Sequence, residues 1–333
     1  MEFLKMLAEW RNPFLDGLMS IITMLGEESL FIAIALAVFW CVDKKRGYYL
    51  LFIGFVGTVL NQFLKMLFRI PRPWVKDPAF EIVESAREQA TGYSFPSGHT
   101  STATTLYGGL AVSAKKWFVR IIGIVLVLLI AFSRMYLGVH TPLDVLVSLA
   151  IGTVLALVFY PVIRWAYDRP HVMFALVLSV SVLSFANLIF LHAFPFPADV
   201  DATNLNHALE TAWKLMGLSI AMCFVYPIDT YLVKFDTRAV WWAQIIKLVV
   251  GFGLVMAIRF LLKQPLNTLL GELVGGAVRY FLMVIAAGCV IPIFFRFLPR
   301  RKDPEEEPPV EEKKIRRRIW FTFSVSHRVT KFK

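Results

Sequence analysis

Nine apolar runs, each close to the length of a membrane helix, restrict this chain more than any other feature. They occupy about 27–42, 48–68, 97–114, 118–137, 142–165, 172–193, 212–232, 239–261 and 270–297. A hydrocarbon core about 30 Å thick is crossed by roughly 20 apolar residues in a helix. Backbone groups in lipid must be paired within the segment, so runs of this kind form helices. With 57% of its 333 residues hydrophobic and 18% charged, the chain is too apolar for one or two soluble cores, whose domains carry about 25% charged residues. The expected fold class is therefore all-α, a polytopic membrane protein with about nine transmembrane helices. Aromatic residues at 14% exclude a disordered chain, and three cysteines exclude a disulfide-stapled one. Cys41, Cys223 and Cys289 each lie inside an apolar run and are read as packing residues.

The formal charge of +11 falls mostly in short gaps between the runs, which points to membrane orientation and not to nucleic acid. One set of alternate gaps holds Lys44, Lys45 and Arg46, then Lys115, Lys116 and Arg120, then Arg164 and Arg169, Lys234 and Arg238, and Arg296 to Lys302. The positive-inside rule assigns these gaps to the cytoplasm. The N-terminus is then expected outside and the C-terminus inside, in a multi-pass protein of the cell membrane. Four regions are expected. Residues 1–26 form an amphipathic interfacial segment, with Leu4, Met6, Leu7, Trp10, Phe14 and Leu15 at helical spacing among charges. Residues 27–168 form a membrane core, 169–300 additional transmembrane helices, and 301–333 a charged cytoplasmic tail. The order of a signal peptide, with basic start, apolar run and small-residue cleavage site, is not met at the start.

Three polar clusters fall at the exterior ends of the runs: Lys65 with Arg72-Pro73; Ser94-Phe95-Pro96-Ser97-Gly98-His99-Thr100; and Ser133-Arg134 with His140 and Asp144. Taken singly, each has an ordinary explanation as a snorkelling lysine, a turn or a polar helix end. Successive spans alternate in direction, however, and all three clusters land on the same side of the bilayer. The strings K-x6-R-P, P-S-G-H and S-R-x5-H-x3-D resemble the three signature motifs of the phosphatidic acid phosphatase type 2 superfamily, which also contains vanadium haloperoxidases. The resemblance covers about residues 13–165. It implies a helical phosphatase core that uses Lys65, Arg72, Ser97, Gly98, His99, Arg134, His140 and Asp144.

The residue types carry the same chemistry. A phosphoryl group in transfer spreads negative charge over its equatorial oxygens, so catalysis is mostly positioning and electrostatic stabilisation. Lys65, Arg72 and Arg134 supply three fixed cations, and the guanidinium forks suit bidentate contact with phosphate. Ser97 and Gly98 precede an apolar run, so their backbone N–H groups open a helix N-terminus suited to an anion. Asp144 follows His140 by four residues, across a Thr141-Pro142 helix start. It is expected to orient His140 as the nucleophile, forming a phosphohistidine. His99, with no carboxylate at comparable spacing, is expected to be the general acid that protonates the leaving group and then activates water. No metal and no cofactor are expected, because the motifs hold a single carboxylate.

The leading expectation is a phosphoric monoester hydrolase or pyrophosphatase that takes a lipid phosphate from the bilayer at the extracytoplasmic face. Candidate substrates are phosphatidate, phosphatidylglycerol phosphate, undecaprenyl pyrophosphate and sphingoid-base phosphates. Glucose-6-phosphatase-like hydrolysis of a soluble sugar phosphate is one alternative. A non-catalytic membrane transport protein on the same fold is the other. The 74–95 loop, with Trp74, Phe80, Glu81, Glu84 and Tyr93, is expected to read the head group. Asp229 is expected to pair with Lys247. Gly251, Gly253, Gly275 and Gly276 would let helices approach closely, and the C-terminal helices are expected to form a packing face or a homodimer face, or to widen the lipid entrance.

Overall fold

The computed structural model describes residues 1–301, so the charged tail from Lys302 onward lies outside the described residues. Every regular element among them is helical. The chain begins with α1 (Glu2–Ala8) and α2 (Pro13–Met24), then bends into α3 (Glu28–Cys41). The core continues with α4 (Lys44–Phe68), the single turn α5 (Pro73–Lys76), α6 (Gly98–Ala103), a π turn over Thr104–Gly108, and α7 (Gly109–Ser113). It closes with α8 (Trp117–Tyr136) and α9 (Pro142–Tyr167). The C-terminal part holds α10 (Pro170–Ala193), α11 (Ala202–Pro227), α12 (Trp241–Leu261), α13 (Lys263–Ile285) and α14 (Ile291–Phe294).

All nine expected runs are helical. Among the described residues, seven helices are long and apolar enough to cross a membrane by themselves, and α2 with α3, bent by 46°, makes an eighth if the pair is one span. The bend completes a length that α3 lacks: its 14 residues rise about 21 Å at about 1.5 Å each. The run at 97–114 differs from the expectation. Its helical stretch from Gly98 to Ser113 is shorter than the roughly 20 residues a span needs. Its polar side chains Thr100, Ser101, Thr104 and Thr105 are buried in protein. The faces turned outward are those of membrane helices, with Leu146 and Val154 of α9 and Val249 of α12 at 61%, 59% and 66% exposure.

α4 is the central post, buried along most of its length. It starts where Asp43 accepts the Arg46 N–H at 3.2 Å, and it stops at Arg69, whose φ of 50° is left-handed, just before Pro71 and Pro73. α11 and α13 press together where Gly217 faces the Ala277 backbone: a Cβ there would fall 2.0 Å from the Ala277 oxygen. Gly251 likewise faces Trp40, and Gly275 faces the backbone of Leu266. Gly251 and Gly275, two of the four expected packing glycines, therefore serve contacts within the chain, and of those four only Gly253 meets nothing nearby. Gly271, with φ 78°, breaks α13 near its start, which is where the sequence places the beginning of the last apolar run.

The expected Asp229–Lys247 pair does not form. Asp229, 3% exposed, takes Lys44 Nζ at 2.7 Å and the Tyr48 hydroxyl at 3.0 Å. Lys247 instead donates to the carbonyls of Asp236 and Thr237 at 3.1 and 3.2 Å. The partner of Asp229 comes from the start of α4 because α11 runs antiparallel to α4 and ends beside it. Lys45 joins Asp168 at 2.8 Å at the same end of the bundle. Basic clusters therefore gather at one end and the motif residues at the other.

Candidate active site

Four helix termini meet at the second end: the close of α4, the start of α6, the close of α8 and the start of α9. They bring all eight expected residues together, and Lys65, Arg72, Gly98, His99, Arg134 and His140 line one cavity of about 480 Å³. Ser97 and Asp144 stand just behind it, fully buried.

Arg72 caps α5 and is held by four contacts. It donates to the carbonyls of Gly92, Thr91 and Val139 at 3.1, 2.7 and 3.0 Å, and its Nη1 lies 3.0 Å from His140 Nε2. A guanidinium only donates, so His140 Nε2 is the accepting, unprotonated nitrogen. The proton of the neutral ring then sits on Nδ1, which faces Asp144 Oδ2 at 3.5 Å. That distance is long, and Nδ1 has no hydrogen-bond partner; catalytic contacts of this kind tighten when substrate binds. Burial, and after it the guanidiniums of Arg72 and Arg134, hold His140 well below the ordinary histidine pKa.

Asp144 is fixed before it meets the histidine. It closes the capping box of α9, accepting the Thr141 N–H at 2.8 Å while Thr141 Oγ1 accepts its own N–H at 3.4 Å. The same oxygen, Oδ2, accepts the Ser94 hydroxyl at 2.6 Å. Ser97 caps α6, its oxygen accepting from Thr100 N and Thr100 Oγ1 at 3.4 and 2.9 Å. A Cβ on Gly98 would meet only Asn61 Oδ1, at 3.9 Å, so the missing side chain keeps the backbone open to the cavity. Gly138, at φ 82°, makes the left-handed turn that carries the chain from α8 to His140.

Arg134 has no measurable exposure, and its Nη1 donates to Thr23 Oγ1 at 2.7 Å. Its Nε and Nη2, and His99 Nε2, are buried with no partner. Buried donors are nearly always satisfied. A cluster of unsatisfied ones around two imidazoles is a site built to receive an anion. Lys65 is anchored by its ammonium, which donates to the Tyr93 carbonyl. Among the described residues, no three His, Cys, Asp or Glu side chains are grouped to hold a metal ion.

Several residues that serve the site carry no motif. Thr23 belongs to α2. Gly26, at the α2–α3 bend, approaches His99 so closely that a Cβ would lie 3.1 Å from the His99 oxygen and 2.8 Å from Ile130. Asn61 donates to the Pro96 carbonyl at 3.3 Å, and Ser148 donates to the Ser97 carbonyl at 2.9 Å. The C-terminal helices also enter the cavity wall, with His207, Thr211 and Lys214 of α11, Arg259 of α12 and Tyr280 of α13. A Cβ on Gly92 would stand 3.9 Å from both His207 Cδ2 and Lys65 Cδ.

The expected head-group residues of the loop are not in this wall. Phe80 and Tyr93 are buried. Glu84 is paired with Arg87 at 2.6 Å, and Trp74 lies under Arg72 and Arg87. Gln89 and Thr91 are the loop residues that reach the cavity. The alternation of aromatic and acidic residues in the loop marks its own packing and its solvent edge.

The family described as "PAP2 superfamily" matches residues 46–168, and that described as "PAP2 superfamily phosphatase, transmembrane extension" matches residues 213–302. An undecaprenyl-diphosphatase of Sulfolobus acidocaldarius is 30% identical over 154 residues, 46% of this chain and 72% of that protein. The undecaprenyl-diphosphatase BcrC of Bacillus subtilis is 33% identical over 157 residues, 45% of this chain and 75% of that protein. Phosphatidylglycerophosphatase B of the same organism is 33% identical over 158 residues, 44% of this chain and 73% of that protein.

Proposed function

Because the chain belongs to the PAP2 superfamily of phosphatases, we propose that it hydrolyses a membrane lipid phosphate or diphosphate, without a metal ion, through a phosphohistidine at His140. One observation carries the reading. His140 Nε2 lies 3.0 Å from Arg72 Nη1, in a cavity where Arg134 Nε and Nη2 and His99 Nε2 are buried without partners.

The phosphate's oxygens take over the donors of Arg134, Arg72 and Lys65 and the first N–H groups of α6. Arg72 Nη1 turns from His140 to an equatorial oxygen, which frees the Nε2 lone pair. That pair forms the P–N bond as the P–O bond to the lipid breaks, and His99, held as the imidazolium by the negative charge of the bound phosphate, gives its proton to the leaving oxygen and becomes a neutral imidazole. Asp144 stabilises the positive charge that develops on the His140 ring. A water then attacks phosphorus and passes a proton to His99, and the P–N bond breaks to release inorganic phosphate. Phosphatidate, phosphatidylglycerol phosphate, undecaprenyl pyrophosphate and sphingoid-base phosphates all present the group this cavity suits. The exposed apolar faces of the bundle support delivery of the substrate from the bilayer.

The site end faces the extracytoplasmic side in this reading, because Lys44, Lys45, Arg164 and Arg238 cluster at the opposite end. Full-length protein in detergent with EDTA is expected to release phosphate from a panel of lipid phosphates and diphosphates in preference to sugar phosphates. His140→Ala is expected to abolish that release while the protein stays folded. Turnover confined to sugar phosphates, or equal turnover by His140→Ala, refutes the reading.

A further inference from the structure

A second cavity, of about 140 Å³, adjoins the catalytic one and is walled almost wholly by apolar side chains. The two share Glu28, Thr58, Leu215 and Tyr280 as lining residues, so they meet at that level. Three helices change character at the junction. On α11, His207, Thr211 and Lys214 face the catalytic cavity, while Leu218, Met222 and Val225, further along, face the apolar one. On α4, Lys65, Gln62 and Asn61 lie on the catalytic side of Thr58, and Phe55, Leu51 and Tyr48 on the other. On α3, Glu28 stands at the boundary, followed by Phe31, Ile32 and Leu36.

This gradient from cationic to apolar along one continuous space is the outline of an amphiphile. From Leu215 to Val225, and from Thr58 to Tyr48, the helices rise about 15 Å, half of a hydrocarbon core about 30 Å thick. The residues that wall the space therefore reach the depth of one leaflet. Its volume is close to that of a measured apolar cavity of about 150 Å³ that excludes water and takes a small apolar ligand, which is room for the first carbons of one chain.

We propose that the C-terminal helices build a tail slot: one long apolar chain of the substrate runs between α3, α4 and α11–α13 while its phosphate sits at His140. The inference rests on the lipid phosphatase reading above and gives the transmembrane extension a role in substrate choice. Lys214 and Arg259 stand at the neck of the slot, where the head group passes into the chain.

The test is the full-length protein in mixed micelles with a series of monophosphate lipids that share a head group and differ in chain length. The wild type is expected to gain kcat/KM as the chain lengthens. Leu218→Trp and Met222→Trp each fill the slot and deny it to two or more methylenes. The long-chain to short-chain ratio is then expected to fall about tenfold or more. Val249→Trp, on a lipid-facing position of α12, is expected to keep the wild-type ratio. Leu218→Ala widens the slot and is expected to raise the preference for branched over straight chains, which supplies a readout if the tryptophan variants do not fold. A wild-type ratio in both Leu218→Trp and Met222→Trp, or no shift in Leu218→Ala, overturns the slot alone. A wild type that turns over sugar phosphates and no lipid of any length overturns the lipid reading itself, and the slot with it.

Discussion

Ser94 Oγ lies 2.6 Å from Asp144 Oδ2, both groups fully buried. The carboxylate that faces His140 is therefore aimed from two sides, by this hydroxyl and by the Thr141 N–H of its own capping box. Ser94→Ala removes one of these. Loss of a hydrogen bond to a charged group is expected to lower kcat about 10- to 100-fold, with KM within about twofold, because Asp144 touches the reacting ring and not the phosphate. Steady-state kinetics separate the two parameters.

The proposed mechanism gives the two histidines different steps, so their variants are expected to differ in what accumulates. His140→Ala is expected to form no phosphoenzyme. His99→Ala loses the proton donor and the water activator, steps worth about 10²- to 10⁴-fold each. With an aryl phosphate, whose leaving group needs no proton, it is expected to trap an acid-labile phosphoenzyme. Labelled phosphate retained on the full-length chain after quenching at high pH measures this.

Thr23 is the partner of Arg134 Nη1. Thr23→Val keeps the volume and removes the acceptor, leaving the guanidinium less well aimed. A rise in KM of about tenfold with a smaller change in kcat is expected. Arg134→Lys, which loses the planar fork, is expected to lower kcat/KM by about 10² or more.

His140 titrates well below the ordinary range, first through burial and then through Arg72 and Arg134. Protonation of Nε2 blocks attack, so the acid limb of kcat/KM for the free enzyme is expected below about pH 6.5, the ordinary histidine value. The stability sign is the same. Below about pH 6.5 the unfolded chain binds a proton that the folded one refuses, so this group's contribution to stability is lost as pH falls from there toward the folded pKa. A pH–rate profile and thermal melts over pH 4–8 read the two effects.

Orientation is open to chemical labelling. Glu81→Cys in the exposed loop at the site end and Lys116→Cys at the opposite end are expected to react with a membrane-impermeant maleimide from opposite sides of intact cells, Glu81→Cys from outside. Reaction of Lys116→Cys from outside reverses the assignment.

The residues that gather at the candidate site were legible in the sequence because their signals are local: a lysine and an arginine at one helix end, a capped turn at a second, and a histidine four residues from a carboxylate. The supports were not legible. Thr23 is one hydroxyl in the segment expected to lie in the interface, and Asn61 and Ser148 are polar residues inside otherwise apolar helices. Nothing in their neighbourhoods tells a core hydrogen bond from one that holds a loop. Asp229 shows the same limit from the other side. Its nearest candidate in the apolar runs was Lys247, but antiparallel packing supplied Lys44, 185 residues away. The share of α11 in the cavity was hidden for a related reason. His207 and Thr211 fall in the polar gap before the expected run at 212–232 and Lys214 at its start, and only the placement of α11 beside α4 turns them toward Lys65.

Gly26 offers no functional group, and no motif covers it, yet its missing methyl leaves the space in which His99 is seated. An alanine at that point collides with Ile130 or pushes His99 off its mark. A chain that keeps all three signature strings and carries a bulkier residue here is therefore expected to hold the second histidine crowded out of place by a neighbour with no chemistry of its own.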